Sequence, residues 1–146
     1  MRSEDRANAL AVRVGRAMLA QDNASRALGM TLEEIAPGRA RMRMDVRDDM
    51  INGHDMCHGG LIFTFADSAF AFACNARNHV TVAAGAEIHF VTPASKGETL
   101  IAAAHERAGA GRSGFYDVEV TEAATGRLVA LFRGRAHRLG GTVVEE

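Results

Sequence analysis

Residues 59–74 form a run that is apolar except for Thr64, Asp67 and Ser68, and Asp67 places a carboxylate in the middle of it. An ionised carboxylate in apolar surroundings costs several kcal/mol unless it is paired or hydrogen-bonded, so such a residue rarely lacks a role. Two interpretations are open on this observation alone. Asp67 is either a structural acid satisfied by an arginine or a backbone amide, or a base at a reaction centre.

The apolar run begins with a glycine pair, Gly59 and Gly60, which follows the loop sequence NGHDMCH. At the start of a helix, backbone N–H groups and the positive end of the helix dipole converge. Because glycine has no side chain, a ligand oxygen can approach those N–H groups as it does in an oxyanion hole. Glycine pairs also serve simply as turn residues, so this pattern alone is a weak signal.

The spacing between Gly59 and Asp67 adds a constraint on how both could act. Eight residues along a helix span about 12 Å, at about 1.5 Å per residue. One carbonyl group cannot touch both positions of a single helix. If both residues are functional, they act across two chains, which predicts a dimer with two equivalent sites at its interface.

The elements that position these residues follow from periodicity. Apolar positions spaced by three, four and seven residues predict a helix over 5–21, and Asp22 is expected to cap a short second turn ended by Gly29. The alanine-rich apolar run predicts a buried helix over 59–77. Alternation and turn signals predict two strands before it and four after it, at 30–35, 39–44, 80–90, 99–107, 115–121 and 127–137.

This order of elements predicts the fold class. No helical pattern separates the last four strands, so we expect a mainly antiparallel meander. An α+β fold in which a curved antiparallel sheet wraps one long central helix is the hotdog architecture. We divide the chain into an N-terminal helical segment, 1–28, and a hotdog domain, 29–146.

The run NGHDMCHGGLIFTFADSAFAFACNA resembles the signature of the hotdog thioesterases of the phenylacetate catabolic pathway, the PaaI group. The resemblance continues through IHFVTPASKGETL and LFRGRAHRLGGT, and so covers roughly residues 30–142. It implies an acyl-CoA thioesterase that acts on aromatic acyl groups, phenylacetyl-CoA or its ring-hydroxylated forms. It also implies a homotetramer built as a dimer of dimers, and no metal or redox cofactor, with CoA being part of the substrate.

The same resemblance implies roles for individual residues. Asp67 corresponds to the catalytic acid, as general base on water or as nucleophile, and Gly59 to the residue whose N–H polarises the thioester carbonyl. Asn52 corresponds to the amide that positions water or substrate, and His58 lies beside them. A thioester needs an attacking oxygen and a polarised carbonyl, and its thiolate is a good leaving group, so this small set of groups is sufficient.

Further residues are predicted to hold the substrate. Gly60 belongs to the glycine pair, and Gly85 lies on a strand face that could line the CoA route. Of the seventeen basic residues all but Lys96 are arginine, so anion contacts are expected from guanidinium groups. Arg112, in a glycine-rich hairpin, and Arg135 are the candidates for the CoA phosphates. A solvated row of arginines is the alternative.

Composition excludes several other classes. A net charge of −1 favours neither nucleic acid nor anionic membranes, and no stretch reaches the length of a membrane span. Two cysteines and the absence of a secretory signal indicate the cytoplasm. A zinc site at His54, Cys57, His58 and Asp67 matches no familiar spacing. A non-catalytic acyl-CoA sensor and a hotdog dehydratase remain as alternative functions; the N-terminal segment is short for a DNA-binding module, and Asp67 has no histidine partner in its own helix.

Overall fold

Three α-helices, one 3₁₀ turn and six β-strands make up the fold, which the computed structural model describes over residues 1–146. The helices are α1 (Ser3–Gln21), α2 (Asn23–Ala27) and α3 (Gly59–Asn75). The strands are β1 (Thr31–Ala36), β2 (Arg39–Asp45), β3 (Thr81–Phe90), β4 (Thr99–Ala110), β5 (Ser113–Glu122) and β6 (Leu128–Arg138). Every predicted helix and strand is present, with ends that differ by no more than three residues.

The six strands form one sheet in the order β1-β2-β4-β5-β6-β3, and every neighbouring pair is antiparallel. Of the four strands that follow α3, β4, β5 and β6 form the predicted meander, whereas β3 does not pair with β4. β3 pairs only with β6, so it forms one edge of the sheet, and β1 forms the other. Nearly every residue of β3 is exposed. An edge strand leaves a row of backbone N–H and C=O groups unpaired along one side.

The sheet wraps α3, which packs chiefly against β2, β4 and β5. The alternation predicted for β2 is confirmed, because Ala40, Met42 and Met44 are buried while the arginines between them are exposed. β5 alternates in the same way. Phe65, Phe70 and Phe72 of α3 fill the core beneath these strands, so the apolar run is buried as its composition predicts. None of the helices combines the length and apolar character that crossing a membrane requires.

The C-terminal end of α3 is tied to the start of β3 by one side chain. Asn75 donates from Nδ2 to the carbonyl of Thr81 at 3.0 Å and accepts from its N–H at 3.0 Å. The same amide donates to the Ala71 carbonyl, at 2.9 Å, inside the last helical turn. This clamp explains why the helix ends at Asn75, two residues before the predicted end.

The N-terminal helices lie on the β1 edge and on α3. A Cβ at Gly15 of α1 would lie 2.7 Å from the Leu32 side chain of β1, so a glycine is needed for this close approach. The predicted cap of α2 is confirmed, because the Asp22 carboxylate accepts the Ser25 N–H at 2.9 Å. The hydroxyl of Ser25 lies 2.8 Å from that of Ser68, which holds the start of α2 against α3.

Candidate active site

At the N-terminus of α3, all but one of the first backbone N–H groups are hydrogen-bonded within the chain. His58 is the N-cap, and its Nδ1 accepts the Gly60 N–H at 2.9 Å. The His58 carbonyl accepts from the N–H of Leu61 at 3.0 Å and of Ile62 at 3.2 Å. The N–H of Gly59 has no acceptor. A single backbone donor is therefore left at the positive end of the helix dipole, where it can bind an oxygen of a ligand.

The loop before α3 is held in shape by Asn52. Its side-chain oxygen accepts hydrogen bonds from the backbone N–H of His54 at 2.9 Å and of Met56 at 3.3 Å. The backbone N–H of Asn52 donates to the Met56 carbonyl at 2.8 Å. Because the side-chain oxygen is occupied, the Nδ2 amide is the group left to donate to a ligand. Asn52 and Gly59 line the same cavity.

This cavity has a volume of about 450 Å³ and lies beside the free N–H of Gly59. Its walls are mostly apolar and are formed by Asn52, Met56, Cys57, Gly59, Ile62, Phe90, Val91, Thr92 and Pro93. Phe90, at the end of the edge strand β3, packs directly on Gly59, since a Cβ at Gly59 would lie 3.0 Å from its ring. An apolar cavity with a few polar groups is typical of a small-molecule site.

Asp67 lies two turns further along α3 and is half-buried. It takes part in no ion pair and accepts no hydrogen bond within the chain, in contrast to the ion-paired acids Glu98, Glu106 and Asp117. Burial raises the pKa of the Asp67 carboxyl above its ordinary value, and the negative charge of Asp22 raises it further. An unpaired acid with a raised pKa has the character of a base rather than of a structural ion-pair partner.

Asp67 does not line the cavity at Gly59. The two groups share one helix, and their separation of eight residues corresponds to about 12 Å along its axis. Within one chain the structure thus brings Asn52, His58 and Gly59 together and leaves Asp67 apart from them.

The residues predicted to bind substrate lie in two other places. Gly85 of β3 is opposite Arg135 of β6, next to a β-bulge, and Arg135 forms no ion pair. Arg112 donates to the Leu139 carbonyl at 2.9 Å and lines a polar cavity of about 190 Å³ near the C-terminal end of α3. Gly60 is exposed, and its N–H is taken by the His58 ring.

Arg133, the two cysteines and His54 do not add a further site. Asp117 holds Arg133 through two hydrogen bonds of 2.6 and 2.9 Å, so this guanidinium is already engaged. Burial raises the pKa of the thiols of both cysteines, that of Cys74 to about 12, and both are neutral near pH 7. His54 is exposed, and no three His, Cys, Asp or Glu side chains approach closely enough to share a metal ion.

Sequence reasoning missed one contact of the site and one interaction between charges. It did not place Phe90 against Gly59, although the strand alternation puts Phe90 on the same face as Ile88. It also did not place Asp22 near Asp67, since 44 residues separate them in the sequence. Only the helix-capping pattern at Asp22 carried a local signal.

The comparisons with known proteins agree with this geometry. The model of the thioesterase superfamily matches residues 54–130. Acyl-coenzyme A thioesterase PaaI of Escherichia coli is 42% identical over 130 residues, which are 89% of this chain and 92% of that protein. Acyl-coenzyme A thioesterase 13 of Homo sapiens is 34% identical over 125 residues, covering 84% of this chain and 89% of its own.

Solved structures agree as well. The E. coli PaaI structure matches with a TM-score of 0.90 at 40% identity, and covers 92% of this chain and 97% of its own. A mutant form of phenylacetic acid degradation protein PaaI from Thermus thermophilus matches with a TM-score of 0.77 at 38% identity, over 81% of this chain and 100% of its own.

A hotdog sheet around a buried helix, together with these matches, is characteristic of thioester hydrolases. The chain belongs to the thioesterase superfamily and, within it, to the PaaI group. The predicted fold class, the resemblance and the enzyme class are thereby confirmed.

Proposed function

We propose that the protein hydrolyses aromatic acyl-CoA thioesters, phenylacetyl-CoA or its ring-hydroxylated forms, to the free acid and CoA in the cytoplasm. The PaaI relative of E. coli is named as an acyl-coenzyme A thioesterase, and its structure is described as that of a protein from the phenylacetic acid degradation operon. The observation that carries the chemistry is the unpartnered N–H of Gly59 in an apolar cavity, on the same helix as the unpaired Asp67.

The reaction uses few groups. The N–H of Gly59 donates to the thioester oxygen and stabilises the negative charge that develops there when a water oxygen bonds to the carbonyl carbon. Asp67 removes a proton from that water. The C–S bond then breaks, the electron pair leaves with the CoA sulfur, and the thiolate takes up a proton. Asn52 donates its amide to water or substrate, and His58 holds the loop as the helix cap. No metal or redox cofactor is needed.

Asp67 as nucleophile is the second route to the same products, through an acyl–aspartyl anhydride that water then cleaves. A single turnover in ¹⁸O-labelled water addresses this choice. Label found in the Asp67 carboxylate would establish the covalent route, since the general-base route puts the label only in the released acid.

The separation of Gly59 and Asp67 requires that each site combine Gly59 of one chain with Asp67 of another. The exposed edge strand β3, with its unpaired backbone groups and its apolar Val82 and Phe90, supports pairing with a second copy. We propose a dimer with two equivalent sites, and a tetramer formed from two such dimers.

The phosphates of CoA are assigned to arginines without acidic partners. Arg112 and Arg135 meet this condition, whereas Arg133 and Arg77 are paired with Asp117 and Glu106. Arg112 shares its cavity with Arg138 and with the ion pair of Arg77 and Glu106, so the charged groups there carry a net positive charge. Gly85, opposite Arg135, leaves open space above the strand because nothing lies within 4 Å of a Cβ built there.

The central experiment measures free thiol released from phenylacetyl-CoA, from its ring-hydroxylated forms and from acetyl-CoA. We expect the aromatic substrates to have the higher kcat/KM, and Asp67→Asn to abolish thiol release with any of them. Asp49→Asn, at an exposed acid that does not line the cavity, is the matched control and should keep full activity. Tight binding without thiol release would favour a sensor, and hydration of an enoyl-CoA would favour a dehydratase.

A complementation experiment tests the shared site. Gly59→Ala and Asp67→Asn are each expected to be inactive, but a mixed dimer of the two contains one site in which both residues are intact. Random pairing gives mixed dimers about half of the time, each with one working site of two, so co-expression should restore about a quarter of the wild-type activity. No recovery in purified mixed dimers would refute the two-chain site.

A further inference from the structure

A chain of polar side chains connects the α1–α2 junction to α3 beside Asp67. The hydroxyl of Ser25 lies 2.6 Å from the Asp22 carboxylate and 2.8 Å from the hydroxyl of Ser68. An ionised carboxylate only accepts hydrogen bonds, so Ser25 donates to Asp22 and Ser68 donates to Ser25. The three side chains thus form one directed series that ends on the residue next to Asp67.

The side chains of Ser25 and Ser68 are both buried. Ser25 is 1% exposed and Ser68 is 9% exposed, and they are two of the five buried polar or charged residues of the chain. Burying a hydroxyl without a partner costs free energy, so the pair holds only in the geometry in which both hydrogen bonds form. Ser68 therefore fixes the turn of α3 that carries Asp67 relative to Asp22.

Asp22 also acts on Asp67 through its charge. It is the one titratable group whose charge raises the pKa of the Asp67 carboxyl, after the larger effect of burial. Among the other titratable side chains around α3, Glu106 and Arg77 are paired with each other, and two more are Cys74 and, on β5, Tyr116, which packs against Phe70 and donates to Glu106. Burial raises the pKa of Cys74 and of Tyr116, so both are uncharged near pH 7.

We propose that Asp22 is a positioning residue of the active site, which through Ser25 and Ser68 fixes the turn that carries Asp67 and keeps a negative charge beside its carboxylate. The inference rests on the proposed role of Asp67 as the base. A base of higher proton affinity removes a proton from water more effectively as long as it stays ionised. The N-terminal helical segment is then part of the catalytic apparatus rather than an accessory to it.

Asp22→Asn isolates the charge. Asparagine caps a helix as well as aspartate does, and its side-chain oxygen can keep the Ser25 N–H bond while its amide donates to the Ser25 hydroxyl. We expect a folded, active enzyme whose acidic limb of kcat/KM lies at lower pH than in the wild type. The ratio of kcat/KM, variant to wild type, should therefore rise as the pH falls. Asp22→Ser, a second neutral cap, repeats the measurement if Asp22→Asn yields little folded protein.

Asp5→Asn is the matched control, because it removes the same charge from the same N-terminal segment at an exposed position paired with Arg2. Its acidic limb should coincide with that of the wild type. An acidic limb unchanged in both Asp22 variants, with Asp67→Asn inactive, would overturn the role of Asp22 while leaving the proposed function intact. Full activity in Asp67→Asn would instead overturn the proposed function and this inference with it.

Ser68→Ala tests the positioning half of the inference. We expect kcat to fall several-fold with little change in KM, because the alanine removes the contact that fixes Asp67 but leaves the cavity at Gly59 untouched. Ser68→Thr keeps the hydroxyl and should restore part of kcat. Equal kcat in wild type and Ser68→Ala would refute this half.

Discussion

Gly59→Ala is the sharpest test of the free backbone donor. The backbone at Gly59 is not in the left-handed region, and a Cβ there would lie 3.0 Å from Cζ of Phe90 and 3.4 Å from two further ring atoms. Ordinary van der Waals contact begins near 3.4 Å, so the ring must move by about 0.4 Å. Within a single chain Phe90 is 54% exposed, which leaves its ring room for this shift.

The structural cost of the methyl group is therefore small. Alanine is favoured over glycine inside a helix by up to about 1 kcal/mol, which offsets the tight contact with Phe90. We expect the melting temperature to change by less than about 4 °C, since 1 kcal/mol shifts a chain of this size by about 2–4 °C.

The catalytic cost is larger. The methyl group crowds the N–H that donates to the thioester oxygen. Loss of one such donor lowers kcat by about 10²–10³-fold, which corresponds to about 3–4 kcal/mol of transition-state stabilisation. Because the contact strengthens in the transition state, kcat should fall more than KM rises. Thiol release from phenylacetyl-CoA, measured over a range of substrate concentrations, separates the two parameters.

Two further variants decide the cause of the loss. Gly53→Ala lies in the same loop with nothing within 4 Å of its Cβ, and should behave as wild type. The double variant Gly59→Ala, Phe90→Leu relieves the contact with the ring but keeps the methyl beside the N–H, so it should stay inactive. Recovery of full activity in the double variant would refute the oxyanion role, and so would wild-type kcat in Gly59→Ala alone.

Three other perturbations have defined outcomes. Burial raises the pKa of Asp67 in the folded protein, so the wild type loses stability as the pH rises from the ordinary carboxyl pKa, about 3.9, through that raised value. Asp67→Asn should therefore have a higher melting temperature than the wild type at pH 7. The two melting temperatures should converge below the ordinary pKa. A lower melting temperature at pH 7 would contradict this. Gly134→Ala would bring a Cβ within 2.6 Å of the buried ring of Phe70, so the free energy of unfolding, measured by calorimetry, should fall by about 1–3 kcal/mol. An unchanged melting temperature would show that the core repacks freely. His58→Ala removes the acceptor of the Gly60 N–H, at a cost of about 1 kcal/mol, and should lower kcat, whereas His58→Asn keeps a cap and should keep most of it. Equal losses in both His58 variants would indicate that the imidazole itself does chemistry.

Much of the fold is readable from local patterns. The strict alternation at 39–44 fixes which face of β2 is buried, since successive side chains of a strand point to opposite faces. The alanine-rich run at 59–77 can only be a buried helix, and the cap at Asp22 is recognisable from residue type alone. These features depend on neighbours within a few positions of the chain.

The order of the strands in the sheet does not follow from local sequence patterns. The sequence predicts that β3 follows α3, but not that it pairs with β6 at the edge of the sheet. The unpaired backbone groups along its outer side follow from that position, and the contact of Phe90 with Gly59 likewise depends on where β3 lies in the sheet. The pairing of Arg133 with Asp117 depends on the same register of distant strands.

The components of the site and their spacing are present in the residue order: a glycine at the start of a helix, an acid eight residues later, and a family signature around both. Which of these groups are free to act is settled only in the folded chain. The His58 ring accepts the N–H of Gly60 and leaves that of Gly59 free, and Asp67 has no hydrogen-bond partner. The charge of Asp22, at the α1–α2 junction, raises the pKa of Asp67. The physical reason is that periodicity and capping are local, whereas burial, charge proximity and the freedom of a donor depend on segments brought together only when the chain folds.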